Sequence, residues 1–356
     1  MTVRIFGAPP RYIQESGALA QLAPLLGQYG KRPFVVADAA TGESLRQEVE
    51  QQLKAATDRV IFGVCGAACT AGEIDRFVDS ARMLEADVLV GLGARAALGV
   101  AKGLCLALRL PLIAVPTAPC CHAPVSRVIE LEAEGELPAE TRLLPLPPDA
   151  VLVDTAVIAA APPRAFIAGI GDAIARKFEL EQGGEAGALN LLGGRPTLLA
   201  AAAAEAAYRT LREHAIAALA LRARRRGGEA LERVTEAMVL LAGVAHESGG
   251  PSIAHALARG FASLPACRTA LHGELVAFAL LAQLVFEERP AELIAELTAF
   301  NRSLGLPVRL AEIGIVGDQQ AASEAAARRS GEAWLVPVDS RRLAQAILAA
   351  DALAAK

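Results

Sequence analysis

Short runs of apolar and β-branched residues alternate, in the first part of the chain, with longer stretches whose apolar positions recur every three or four residues. Residues 33–37 read as a strand, and 43–56 as a helix whose Leu45, Val49 and Leu53 share one face. Residues 60–64 give the next strand, and 73–84 a helix carrying Ile74, Phe77, Val78 and Ala81. A strand over 88–90 leads through Gly91, Leu92 and Gly93 into a helix ending near Arg109, and 112–115 closes the unit. A less regular stretch follows, with a hairpin strand at 125–131 and a proline-rich turn at Pro145, Pro147 and Pro148, before a last strand at 151–154. From Pro163 onward the helical period dominates.

This pattern predicts an α/β N-terminal domain, a doubly wound, Rossmann-like parallel sheet over residues 1–162, followed by an all-α C-terminal domain over 163–356. Ligands of such a sheet bind beyond the carboxyl ends of its strands, and a cleft between the two domains is the expected site. The chain shows no internal repeat, and its alanine-rich tracts read as close-packed helices.

Composition fits a globular enzyme: 53% of the 356 residues are hydrophobic, 21% charged and 4% aromatic, and much of the hydrophobic excess is alanine. The apolar run near Leu198 is broken by Glu205, Arg209, Arg212 and Glu213, so no membrane partner is expected. The N-terminus lacks an extended apolar core of the secretory kind, which makes cytoplasmic residence the expectation. A net charge of −4 gives no electrostatic case for nucleic acid. The basic cluster Arg222, Arg224, Arg225 and Arg226 ends a helix, where cations complement the helix dipole. Six scattered cysteines, with no second pair behind Cys65 and Cys69, suggest neither structural disulfides nor a zinc knuckle.

Candidate chemistry centres on Asp172, His255 and His272. One carboxylate and two imidazoles suit zinc or ferrous iron with a coordination position left open. Asp172 follows Gly169 and Gly171 and reads as the start of an amphipathic helix with Ile174, Lys177 and Phe178. Taken singly, these residues read equally as a helix-capping aspartate and satisfied core histidines.

In sequence order, Val35–Asp38, Val88–Gly93, Val115–Thr117, Leu152–Asp154, Gly169–Asp172, Glu247–Gly250 and Leu271–Glu274 resemble the glycerol dehydrogenase branch of the iron-containing alcohol dehydrogenase superfamily. The resemblance implies a metal-dependent, NAD-linked oxidoreductase. It would oxidise a small polyol or 2-hydroxy acid to the ketone by hydride transfer from a metal-bound alkoxide, and it would form a homo-oligomer. It assigns Asp172, His255 and His272 to the metal, Zn2+ or Fe2+, and Asp38, Gly91, Gly93, Arg95, Thr117 and Cys120 to the cofactor. His122 is assigned to the substrate.

The sequence also departs from the family pattern. The phosphate loop, usually three glycines with an aspartate further on, reads Gly93, Ala94, Arg95, Ala96 and then Gly99. Arg95 could pair with the pyrophosphate or fill the space it needs. Cys120 stands for a serine, and His122 for the aspartate that meets a polyol. An imidazole there would suit an anionic substrate better than a carboxylate does, and could also carry a proton or ligate the metal. Adjacent Cys121 and Cys120 point to opposite faces of an extended segment, so at most one could supplement the metal. His246 replaces an aromatic residue and reads as core. These departures raise a second reading, a family member that keeps the metal but has lost NAD redox chemistry: a non-redox lyase or hydrolase, or a regulatory protein.

Overall fold

The computed structural model describes residues 3–54, 56–57, 59–119, 122–133, 140–250, 252–331 and 338–355. Contacts group the chain into two units that are not consecutive segments: Gly7–Ala161 with Ala217–Gly243, and Met1–Phe6 with Pro162–Ile216 and Val244–Lys356.

The first unit contains β1 (Tyr12–Glu15), α1 (Leu22–Leu26), β2 (Pro33–Asp38), α2 (Glu43–Lys54), β3 (Ile61–Cys65), α3 (Ala71–Met83), β4 (Val88–Gly93), α4 (Arg95–Leu108) and β5 (Leu112–Pro116). It continues through β6 (Val128–Leu131), β7 (Glu140–Leu143), β8 (Ala150–Asp154) and α5 (Thr155–Ala160). Six strands form a parallel sheet in the order β1-β8-β5-β4-β2-β3. Alternate residues of each strand leave opposite faces. Phe34, Val36 and Leu89 pack with Ile74, Phe77, Val100 and Leu104 on one side. Val35, Ala37, Val88 and Val90 pack with Leu22, Leu26, Val49 and Leu53 on the other. Both faces are covered, as the near-continuous apolar strands require.

Two details differ from the sequence reading. The edge strand β1 has only Tyr12 and Ile13 as apolar positions, too short a pattern to register, and its place is set by parallel pairing with β8. The hairpin strand starts at Val128 rather than Val125, because the amides of Val125 and Ser126 are spent on a turn that returns to the His122 carbonyl. Strand β6 pairs with β7, antiparallel.

The second unit is helical: α6 (Pro163–Ile174), α7 (Arg176–Glu185) and the start of α8 (Leu198–Ala223). The end of α8, with α9 (Glu229–Glu236) and a π-helical turn at Ala237–Leu241, lies in the sheet unit, and α10 (Ala242–Gly249) leads back. Then come α11 (Ile253–Ala262), α12 (His272–Phe286), α13 (Ala291–Leu304), α14 (Gln319–Gly331) and α15 (Ser340–Ala354). Among the described residues no helix is long and apolar enough to cross a membrane. Arg222 ends α8 with its guanidinium on the Ala161 carbonyl, a local use consistent with its place at a helix C-terminus.

Cys65, Cys69, Cys105 and Cys267 are free thiols. Burial raises their pKa most, to about 12 for Cys65 and about 11 for the other three. Because the thiolate is the reactive form, iodoacetamide near neutral pH should leave these four unmodified in the native protein and label them after denaturation. Peptide mass spectrometry checks this, and rapid native labelling of any of the four would contradict the packing described.

Candidate metal centre

Three helices of the second unit bring together Asp172, His255 and His272. Their ligand atoms all lie within 4.8 Å of one another. Asp172 and His255 are buried and His272 is partly exposed, so the cluster is walled on one side and reachable on the other.

Asp172 does not begin a helix, as its two preceding glycines suggested, but lies in the last turn of α6. Gly171 serves close packing instead. A Cβ on Gly171 would lie 2.6 Å from the Gly273 carbonyl oxygen, and one on Gly273 would lie 1.8 Å from that of Ala168. Only glycine at both positions lets α6 and α12 approach so closely, and that approach sets Asp172 beside His272. Arg164 at the start of α6 reaches both oxygens of Glu274, each at 2.6 Å, while Glu274 also accepts from the Leu271 amide at 2.7 Å. These bonds fix the entry to α12 immediately beside His272.

His255 sits in the first turn of α11, whose free amides are satisfied from neighbouring helices. Glu179 Oε1 accepts from the Ser252 amide at 2.9 Å and the His255 amide at 3.0 Å, and Gln283 Oε1 accepts from Ala254 at 2.9 Å. The other oxygen of Glu179 lies 2.7 Å from His255 Nδ1, and His255 Nε2 lies 2.9 Å from Asp172 Oδ1. An imidazole whose Nδ1–H is held by a carboxylate presents Nε2 as the ligating atom, a common arrangement behind a metal-bound histidine. Burial pushes Glu179 up, but His255 and Arg176 outweigh it and hold the carboxyl at about 2. For Asp172 too, burial is outweighed by Arg176, His255 and His272, so the group stays ionised well below the usual carboxylate range.

Arg176 and His246 complete the surroundings. Arg176, 1% exposed, donates from Nη2 to Asp172 Oδ1 at 3.0 Å and from Nη1 to His246 Nδ1 at 2.8 Å. The ring centroids of His246 and His255 are 6.3 Å apart, and those of His255 and His272 5.4 Å. His246 is buried, as the core reading expected, and its Nδ1 pairs with Arg176 beside the cluster. Sequence reasoning missed Arg176, Glu179 and Gln283. The first two fall four and seven residues after Asp172, a spacing that shares one helical face and could have pointed to them.

The remaining candidates belong to the sheet unit. Asp38, at the end of β2, is buried and accepts from Thr41 N at 2.9 Å, Thr41 Oγ1 at 2.8 Å and Ala94 N at 2.7 Å. Gly93 is required beside it, since a Cβ there would meet Asp38 Oδ2 at 2.6 Å. Gly91 packs on α4, and the Thr117 amide donates to the Gly93 carbonyl at 3.1 Å. Helix α4 starts without a side-chain cap. Arg95 at its first position turns to the hairpin, pairing with Glu130 at 3.4 Å and Glu132 at 3.0 Å. His122 is buried, with Nδ1 3.2 Å from Ser126 Oγ and Nε2 3.9 Å from Glu130. Lys102 braces the same turn through the carbonyls of Ser126 and Val128. Cys120 and Cys121 lie outside the described residues.

A sheet unit of Rossmann type joined to helices that gather one carboxylate and two imidazoles defines a metal- and dinucleotide-dependent dehydrogenase architecture, and known proteins bear this out. Residues 9–155 match the family described as iron-containing alcohol dehydrogenase. The chain is 36% identical over 316 residues to glycerol dehydrogenase of Escherichia coli O6:H1, covering 88% of this chain and 86% of that protein. It is 36% identical over 319 residues to the Thermotoga maritima glycerol dehydrogenase, with 89% and 86% covered. The crystal structure of Schizosaccharomyces pombe glycerol dehydrogenase superposes with a TM-score of 0.92 at 27% identity, covering 100% of this chain and 92% of that one. The chain belongs to the glycerol dehydrogenase branch of the iron-containing alcohol dehydrogenase family. It is an oxidoreductase acting on CH–OH groups, in a family that uses a metal and NAD. None of these observations favours a non-redox role.

Proposed function

We propose that Asp172, His255 and His272 hold one divalent cation, zinc or ferrous iron, and that the enzyme oxidises a small polyol such as glycerol with NAD as hydride acceptor. The observation that carries this reading is the convergence of the three ligand atoms, with Glu179 seated behind His255. The donor set fits such an ion: an ionised carboxylate, an imidazole oriented by a second carboxylate, and a partly exposed third ligand. A bound divalent cation lowers the pKa of an alcohol and makes its C–H bond a better hydride donor.

The protein's own residues orient and protect. Glu179 fixes the tautomer and direction of His255, Arg176 holds Asp172, and the α6–α12 contact sets the distance to His272. For the cofactor, Asp38 uses three of its roughly four acceptor sites internally, leaving room for a ribose hydroxyl and none for a 2′-phosphate. That favours NAD over NADP. The uncapped start of α4 offers backbone amides to the pyrophosphate, beside Gly91, Gly93 and Thr117. Arg95 is held aside on Glu130 and Glu132 and leaves the space open. His122, steadied by Ser126, is assigned to the substrate end, where it accepts or donates one hydrogen bond to a hydroxyl; Cys120 is assigned to the cofactor end. Subunits assemble as a homo-oligomer in the cytoplasm.

The test is calorimetric titration of NAD into protein of known metal content, followed by NADH formation with glycerol. One saturable site per chain and metal-dependent NADH formation are expected. A metal-loaded protein that binds neither NAD nor NADH would overturn the reading.

A further inference from the structure

Arg176 is a buried, permanently charged group on the carboxylate assigned to the metal. A guanidinium is not deprotonated in proteins, so its charge is fixed. It contacts Asp172 Oδ1 at 3.0 Å, the same oxygen that lies 2.9 Å from His255 Nε2, and Glu179 Oε2 at 3.4 Å. Its side chain is 1% exposed, that of Asp172 10% and that of Glu179 0%. Without Arg176, two enclosed carboxylates would face each other with only imidazoles between them, an arrangement that low-dielectric surroundings make costly. A dication in the cluster would relieve that repulsion, and so does the guanidinium.

We propose that Arg176 is a resident placeholder cation: it holds Asp172 and Glu179 in place in the metal-free protein and, by competing for Asp172, makes divalent-ion binding weaker and exchangeable. This rests on the ligand assignment above. Both cations can share the carboxylate, but the fixed charge stands within a few ångströms of the incoming ion and repels it. The enzyme therefore folds and persists without metal and takes it up according to supply.

The experiment uses the full chain stripped of metal, with Zn2+ alone as probe and a chelator in competition. Arg176→Gln should bind zinc about 100-fold tighter than the unaltered protein, as expected for removal of one nearby buried charge. Arg176→Lys, which keeps the charge, should stay within about tenfold of it. Stripping zinc should lower the melting temperature of Arg176→Gln far more than that of the parent. Equal or weaker zinc affinity in Arg176→Gln overturns the proposal, as does equal tightening in both variants. Failure to recover Arg176→Gln even when it is prepared with zinc also overturns it, because the ion then cannot substitute for the guanidinium. His272→Ala separates the two readings. Zinc affinity unaltered by His272→Ala rejects the ligand assignment; loss of zinc there, with no gain from Arg176→Gln, rejects the placeholder alone.

Discussion

His255→Ala should abolish stoichiometric metal binding and lower polyol oxidation by about 10^3-fold or more. The size follows from losing several kcal/mol of transition-state stabilisation, at about 1.36 kcal/mol per tenfold in rate. The loss has two sources. Nε2 disappears from the ligand cluster, and Glu179 loses the imidazole it orients, although it keeps the backbone amides of Ser252 and His255. Glu179→Gln isolates the second source. Glutamine keeps one acceptor oxygen and cannot serve both the Ser252 and His255 amides and His255 Nδ1–H, and loss of such a supporting partner typically costs about 10- to 100-fold in metal affinity. Elemental analysis after gel filtration reads metal content, and initial rates read activity. A His255→Ala protein that retains one metal per chain would show that the ion lies elsewhere.

Five of the six sheet strands were legible because each is a short apolar run, and the helices between them showed their stripes, both local patterns, whereas β1 carries too few apolar positions. Asp38 and Gly93 could be placed at strand ends for the same reason, whereas Gly91, read as following the strand, lies inside β4 paired with Val36 and Ala114. The three ligands were legible only as residue types in familiar company. Their convergence depends on contacts across roughly a hundred residues of chain, which periodicity does not encode. The glycines before Asp172 illustrate the limit. As local punctuation they announce a helix start, yet both lie inside α6, where Gly171's lack of a Cβ is used by α12. Arg176 and Glu179 were overlooked because charged residues on a helix are ordinarily solvated. Here both are buried, and their partners, apart from each other, are Asp172 on α6, the Ser252 amide and the histidines brought by α10 and α11. Arg95 was weighed solely against the pyrophosphate, whereas the acidic strand β6, distant in sequence, supplies its partner Glu130.

Gly273→Ala tests the close helix contact directly, and its effect should be large. The new methyl carbon would fall 1.8 Å from the Ala168 carbonyl oxygen and 2.6 Å from its carbon, both backbone atoms that no rotamer change can move. Relief requires α6 and α12 to separate, and overpacking of this kind costs about 3 kcal/mol or more. Separation also draws Asp172 away from His272, so metal affinity should fall together with the melting temperature. Gly184→Ala is the matched control: it lies in α7 with nothing within 4 Å of the added carbon, so the same chemical change should be neutral or stabilise by about 0.5 kcal/mol. Thermal unfolding of both variants, with and without zinc, gives the comparison. If Gly273→Ala melts with the parent and keeps its metal, the glycine contact is not what holds the ligands together. If it melts early yet binds zinc normally once folded, the contact serves stability and the geometry of the cluster is set from α11 instead.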